Sequence, residues 1–132
     1  MADSLLLLDT TVLIDVLRGR AVTDRLRAHR DDGELACTTA VNVEEIARGL
    51  RRRELSGATA LFVGLVVLPL SRHEGWQAGV WRKDYVARGV TLSQADCLIA
   101  AAALTADARL VTGNPRHFPM REIAVEHWPS GE

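Results

Sequence analysis

Four consecutive leucines, Leu5-Leu6-Leu7-Leu8, run directly into a carboxylate, Asp9. An unbroken apolar run of this length reads as a strand buried on both faces, as in a parallel sheet. Behind it, Val12, Leu13, Val16 and Leu17 trace one face of a helix over 11–17, with Gly19 at its end. A second helix is predicted over 21–29, before the Asp32-Gly33 turn, and Leu35-Ala36-Cys37-Thr38 reads as a second strand. Val43, Ile46, Ala47 and Leu50 recur at i, i+3, i+4 and i+7, which predicts a helix over Asn42–Arg53. Ser56-Gly57 breaks the chain, and a further helix is expected over 58–65.

Val66–Leu70 follows as a third strand, which Pro69 moves towards a sheet edge. The stretch 73–87 has helical composition, closes at Arg88-Gly89, and sets Trp81 and Tyr85 one turn apart as a packed pair. Ser93 to Leu104, with alanines at 100–103, is the most helical stretch of the chain. Arg109–Thr112 is a strand stopped by Gly113-Asn114-Pro115, and 124–126 is expected as a last one. Strands alternating with helices predict the α/β class: one domain over 1–132, its parallel β-sheet flanked by helices on both faces.

Composition narrows the class. At 132 residues, 48 % hydrophobic and 25 % charged, the chain has the make-up of an ordinary globular domain. No apolar run nears the roughly 20 residues a bilayer-spanning helix needs. No secretory leader is expected, because Asp3 precedes the leucines and no basic region stands before them. Cys37 and Cys97 lack metal-ligand spacing and are expected as reduced, buried thiols of a cytoplasmic protein. A net charge of −1 excludes binding to nucleic acid by bulk electrostatics. Arg nonetheless dominates the cations, with Lys83 the only lysine. Arg18, Arg20, Arg25, Arg27 and Arg30 form one cluster, and Arg48, Arg51, Arg52 and Arg53 another. Either can grip phosphate or an acidic partner.

The candidate chemistry lies in four polar positions. Asp9 ends the first strand, Glu45 and Asp96 lie early in their helices, and Asn114 follows the strand that ends at Thr112. Helices that follow parallel strands start on the side of the strands' carboxyl ends, so one crevice can collect all four. Carboxylates gathered there repel one another, and a hard divalent cation removes the conflict. Such a set suits metal-dependent phosphodiester hydrolysis. Helix capping competes with this reading. Asn42-x-x-Glu45 and Ser93-x-x-Asp96 both have capping-box spacing, and Asp9 can cap the helix after it. Glu44 and Glu45 differ by about 100° in helical phase, so only one faces the crevice, and the apolar stripe does not choose between them.

Four segments in order carry a resemblance. Leu8-Asp9-Thr10-Thr11-Val12-Leu13-Ile14-Asp15, Val43-Glu44-Glu45-Ile46-Ala47-Arg48-Gly49-Leu50, Ser93 to Leu104 and Leu110 to Phe118 are similar to the successive motifs of PIN-domain ribonucleases, in particular the VapC toxins of type II toxin–antitoxin pairs. The resemblance implies a PIN-like fold and an endoribonuclease cutting tRNA or ribosomal RNA at exposed loops. It picks Glu45 over Glu44, because Glu45-Ile46-Ala47-Arg48-Gly49 fits the second motif. It implies Asp9 and Asp96 as ligands of Mg²⁺ or Mn²⁺, with Glu45 completing the acidic site. Asn114 stands where many family members carry an acid, His117 where another Asp is frequent, and Thr112 can support the site through its hydroxyl. It further implies a VapB-type antitoxin over the active-site groove and a homodimer formed through the early helices.

Two rival classes make different demands. A PIN-like module kept for RNA or protein binding would use the carboxylates only as caps and would cleave nothing. A receiver-like phosphoacceptor domain needs an Asp after the third strand and a late lysine, whereas the chain has Leu70-Ser71-Arg72 there and places Lys83 in a helix. A phosphatase with two aspartates around the first strand fails on Thr10 and Thr11.

Overall fold

A computed structural model describes residues 4–131. Leu5–Leu8 forms β1, the central strand of a five-stranded sheet. The others are β2 (Leu35–Thr39), β3 (Val66–Leu68), β4 (Arg109–Thr112) and β5 (Val125–His127), in the order β3-β2-β1-β4-β5, and every pairing is parallel. Six α-helices connect them: α1 (Thr10–Leu17), α2 (Val22–Asp31), α3 (Ala40–Gly49), α4 (Leu55–Val63), α5 (Arg72–Ala87) and α6 (Gln94–Ala106). Single 3₁₀ turns cover Arg52–Glu54 and Pro115–His117. Among the described residues no helix is long and apolar enough to cross a membrane.

The leucine run is explained by two cores, one on each face of β1. Leu6 and Leu8 pack with Val12, Leu13, Leu26, Ile46 and Ala58, from α1 to α4. Leu7 points the other way, into Ala78, Trp81 and Tyr85 of α5 and Ile99 to Ala103 of α6. Side chains alternate across a strand, so a central parallel strand must be apolar at every position. The alanines let α6 approach the sheet closely, and Ala100–Ala103 are all buried. Trp81 and Tyr85 are buried as a pair, their polar tips bonded to Glu122 and to the Pro119 carbonyl. Cys37 and Cys97 are buried and unpaired. β3 is the edge strand that Pro69 implied.

Several boundaries differ from the sequence-based expectation. Ser56-Gly57 does not break the chain: both residues lie inside α4, which starts at Leu55 and ends at Val63 rather than spanning 58–65. β3 stops at Leu68, short of Pro69. The helix expected over Asn42–Arg53 starts earlier and stops at Gly49, because Leu50 is extended (φ −69°, ψ 138°) and a separate 3₁₀ turn follows. Its N-cap is Thr39, not Asn42: the Thr39 hydroxyl accepts from the Asn42 N–H, and the Asn42 side chain accepts from the Thr39 N–H. The last strand lies one residue later than expected, at Val125–His127.

Candidate active site

All four candidate residues lie at the carboxyl ends of the strands. The backbone N–H of Asp9 joins the sheet through Val111 O (2.9 Å), which fixes its main chain between β1 and β4. Asp9 holds the N-cap position of α1, yet its side chain makes no capping bond. Its carboxylate instead accepts Thr112 Oγ1 at 2.7 Å and, more weakly, Thr11 Oγ1 at 3.4 Å. Thr112 Oγ1 also accepts the Asn114 N–H (3.0 Å), and Thr11 Oγ1 accepts the Gly113 N–H (2.9 Å). Hydroxyls thus tie the loop after β4 to the carboxylate that ends β1.

Glu45 is freed from the cap by the shift of helix start. Its Oε1 accepts Thr10 Oγ1 at 2.6 Å, whereas Glu44 is exposed and faces a groove with Val41, Gln94, Ala95 and Leu98. Glu45, rather than Glu44, therefore lies beside Thr10 at the crevice. Asp96 lies in the first turn of α6, where Ser93 is the N-cap and accepts the Asp96 N–H (3.0 Å). Only the Ser93 half of a capping box forms there, which leaves the Asp96 carboxylate turned to the crevice. His117 Nδ1 stands 3.5 Å from Asp96 Oδ2. Asn114 reaches the site with its backbone; its exposed side chain makes no capping bond.

The electrostatics bind these groups into one cluster. Burial pushes the Asp9 carboxyl above its ordinary range, and the Asp96 charge adds to the rise against the lowering hydrogen bond from Thr112. Asp96 is likewise raised by burial and by the charge of Glu45, with Ser93 and His117 acting the other way. Each acid thus senses the next across chain separations that only the fold closes. Among the described residues no group of three or more His, Cys, Asp or Glu side chains is placed to hold a metal ion. Two carboxylates at a half-open crevice, Asp9 and Asp96, still suit the chemistry of a cation such as Mg²⁺, which takes one or two protein carboxylates and keeps its waters.

Beside Glu45 a small crevice of about 60 Å³ opens between α1 and α3, lined by Ile14, Leu17, Arg18 and Leu50. Of the first arginine cluster, Arg20 pairs with buried Asp15, Arg25 with Glu126 and Arg27 with Asp24, while Arg30 bonds the Gly64 carbonyl. Arg18 and the exposed Arg48, Arg51, Arg52 and Arg53 have no ion pair among the described residues. A larger cavity, about 310 Å³, lies at the opposite, amino-terminal ends of the strands among Leu5, Asp107, Arg109 and Glu122, away from Asp9 and Asp96.

Sequence reasoning missed Thr10, Thr11 and Asn42 as parts of this network. The available signal was position: Thr10 and Thr11 follow Asp9 directly, and Asn42 precedes Glu45 by one helical turn.

Comparison with known proteins places the chain among relatives of the same fold. The PIN domain family matches residues 6–125. Ribonuclease VapC19 of Mycobacterium tuberculosis is 38 % identical over 120 residues, covering 86 % of this chain and 92 % of the relative. Ribonuclease VapC10 of the same species is 35 % identical over 119 residues, covering 89 % of each. Among solved structures, VapBC2 from Rickettsia felis bound to promoter DNA superposes with a TM-score of 0.84 at 18 % identity, over 94 % of this chain and 98 % of that one. VapBC from Salmonella typhimurium gives 0.81 at 22 % identity, over 95 % and 98 %. The family match over most of the chain and the kinship to VapC ribonucleases show that the chain belongs to the PIN-domain family, on its VapC branch.

Proposed function

We propose that the protein is a metal-dependent endoribonuclease toxin of the VapC kind, hydrolysing RNA phosphodiester bonds in the cytoplasm. The observation that carries this reading is the coupled set Asp9, Asp96 and Glu45, three acids from separate elements gathered at one crevice, of which Asp9 and Asp96 are both driven up in pKa. A cluster of buried and half-buried carboxylates with only His117 beside it as a possible cation costs stability, and it is retained where a cation or a reaction needs it.

In this reading Asp9 and Asp96 hold Mg²⁺, or Mn²⁺ in its place. When bound, the ion supplies Lewis acidity towards a phosphate oxygen and makes water a better nucleophile. Glu45, held by Thr10, orients the attacking water and accepts its proton. Thr112 keeps Asp9 directed into the crevice, and Asn114 contributes at the rim through its backbone and exposed amide. Arg18 and Arg48 to Arg53 lie beside the crevice and serve phosphate contacts or an acidic stretch of a VapB-type antitoxin. Structured RNA with exposed loops, tRNA or ribosomal RNA, fits an open site at the sheet edge better than a small molecule does. The protein is expected to act as a homodimer.

The test is cleavage of end-labelled tRNA and of a single-stranded RNA by antitoxin-free protein, with Mg²⁺, with Mn²⁺ and with EDTA. Cleavage that needs the metal and vanishes in both Asp9→Asn and Asp96→Asn supports the assignment. Cleavage that persists in EDTA or in both variants refutes it. Absence of cleavage together with absence of metal binding by calorimetry would favour the silent binding module.

A further inference from the structure

Asn42 is fully buried at the start of α3, next to the acidic site, and every polar atom of its side chain is engaged. Its Oδ1 accepts the backbone N–H of Thr39 (3.2 Å) and the Thr39 hydroxyl (2.7 Å). A backbone N–H can only donate, so this contact fixes which end of the amide is oxygen. The Nδ2 end must then face Thr10, and it donates to Thr10 Oγ1 at 3.1 Å. A hydroxyl that accepts from an amide is left to donate elsewhere, and the Thr10 proton goes to Glu45 Oε1 at 2.6 Å.

We propose that Asn42 is a positioning residue for the hydrolytic reaction: it aims the Thr10 hydroxyl at Glu45 and so fixes that carboxylate in the acidic site. The inference rests on the ribonuclease reading above. Helix capping accounts for the Thr39 side of the amide alone. It gives no reason for the Nδ2 end to reach across 32 residues of chain to the one hydroxyl that holds Glu45. The direction of the relay is set by the backbone, since Thr39 N–H orients the amide, the amide orients Thr10, and Thr10 orients Glu45.

Asn42→Asp separates capping from relay. The new carboxylate still accepts from Thr39 and suits the first turn of a helix. It cannot donate to Thr10, and it competes with Glu45 for the single hydroxyl proton. The experiment measures kcat and KM on a loop-containing RNA with Mg²⁺, and the thermal midpoint, for wild type, Asn42→Asp, Thr10→Val, Glu45→Gln and the double variants. Expected is a fall in kcat of about 10–100-fold for Asn42→Asp and for Thr10→Val, with KM little changed. Thr10→Ser, which returns the hydroxyl, should recover the rate that Thr10→Val loses. In the Glu45→Gln background, Asn42→Asp should cost no further rate, because the group it acts through is already altered. A wild-type kcat for Asn42→Asp, or losses that multiply in the double variant with Glu45→Gln, would overturn the proposal. Should Asn42→Asp fail to fold, Asn42→Ser takes its place in the same cycles with Thr10→Val and Glu45→Gln, and the same outcomes decide. Wild-type protein without metal-dependent cleavage would sink the functional reading itself, a different outcome from an active wild type beside an equally active Asn42→Asp.

Discussion

Thr112 Oγ1 donates a 2.7 Å hydrogen bond to Asp9 Oδ2, joining the ends of neighbouring strands β4 and β1 across 103 residues of chain. Both residues are buried, and the bond opposes the rise in pKa that burial imposes on Asp9. The same hydroxyl accepts the Asn114 N–H, so one side chain sets both a proposed metal ligand and the loop beside it.

Thr112→Val keeps the volume and removes that donor. Asp9 then keeps the long Thr11 contact as its side-chain hydroxyl partner, and the Asn114 N–H loses its acceptor, at a cost of about 1–3 kcal/mol. Catalytic rate should fall by about 10–100-fold. Urea unfolding and RNA cleavage on the same preparation check both. Unchanged cleavage would show that Thr112 serves stability alone.

The acidic cluster should cost stability in the absence of metal. Asp9 and Asp96 both titrate above the ordinary 3.8, so the folded protein holds protons that the unfolded chain has released. Stability of the metal-free protein therefore falls as pH rises from about that value through the raised ones. At pH 7 in EDTA, Asp9→Asn and Asp96→Asn should melt higher than wild type. Mg²⁺ at a hundredfold excess over its dissociation constant should raise wild-type stability by about 2.7 kcal/mol and leave the variants nearly unchanged. Thermal scans with and without the ion measure both effects.

Gly113, in the loop after β4, has no room for a side chain. A Cβ there would lie 2.7 Å from Ser130 Oγ, 3.2 Å from Ser130 Cβ and 3.3 Å from Thr11 Oγ1. Rotation of the Ser130 hydroxyl relieves the first contact and not the others. Gly113→Ala should destabilise by about 1–2 kcal/mol and disturb the Thr11 contact beside Asp9. Adding Ser130→Gly should recover part of that loss; no recovery in chemical denaturation would place the strain elsewhere.

Glu74 is a buried carboxylate far from the acidic site and in the opposite electrostatic condition. The Ser71 N–H (2.8 Å), the Ser71 hydroxyl (2.7 Å) and Thr105 Oγ1 (2.7 Å) all donate to it, and they hold its pKa down at about 2 from an ordinary 4.5. Its stabilisation is fully present above pH 4.5 and is lost as pH falls towards 2. Glu74→Gln should cost about 1–2 kcal/mol at pH 7. The difference from wild type should shrink between pH 4.5 and 2. Denaturant titrations at pH 7 and pH 3 test the slope, and an equal gap at both would contradict it.

Local pattern determined the elements and the side of the sheet on which chemistry lies. Leu5–Leu8 could only be a strand buried on both faces, and the stripe of Val43, Ile46 and Leu50 could only be helical, because periodicity reports burial directly. The positions of Asp9 and Asn114 after strands and of Asp96 early in its helix were legible for the same reason, whereas Glu45 lies in the second turn of α3 because that helix starts at Ala40. What the pattern could not carry was the partner of each polar atom. Asn42 and Glu45 have the spacing of a capping box, but the helix starts at Ala40 and Thr39 caps it, which passes Glu45 to Thr10. Asp9 sits at an N-cap and yet bonds Thr112, and Arg20, equal to its neighbours in sequence, is tied to buried Asp15. Hydrogen bonds and charge coupling depend on distances of a few ångströms between residues up to 103 positions apart. Such distances come from sheet order and helix phase together, and only the tertiary structure decided them.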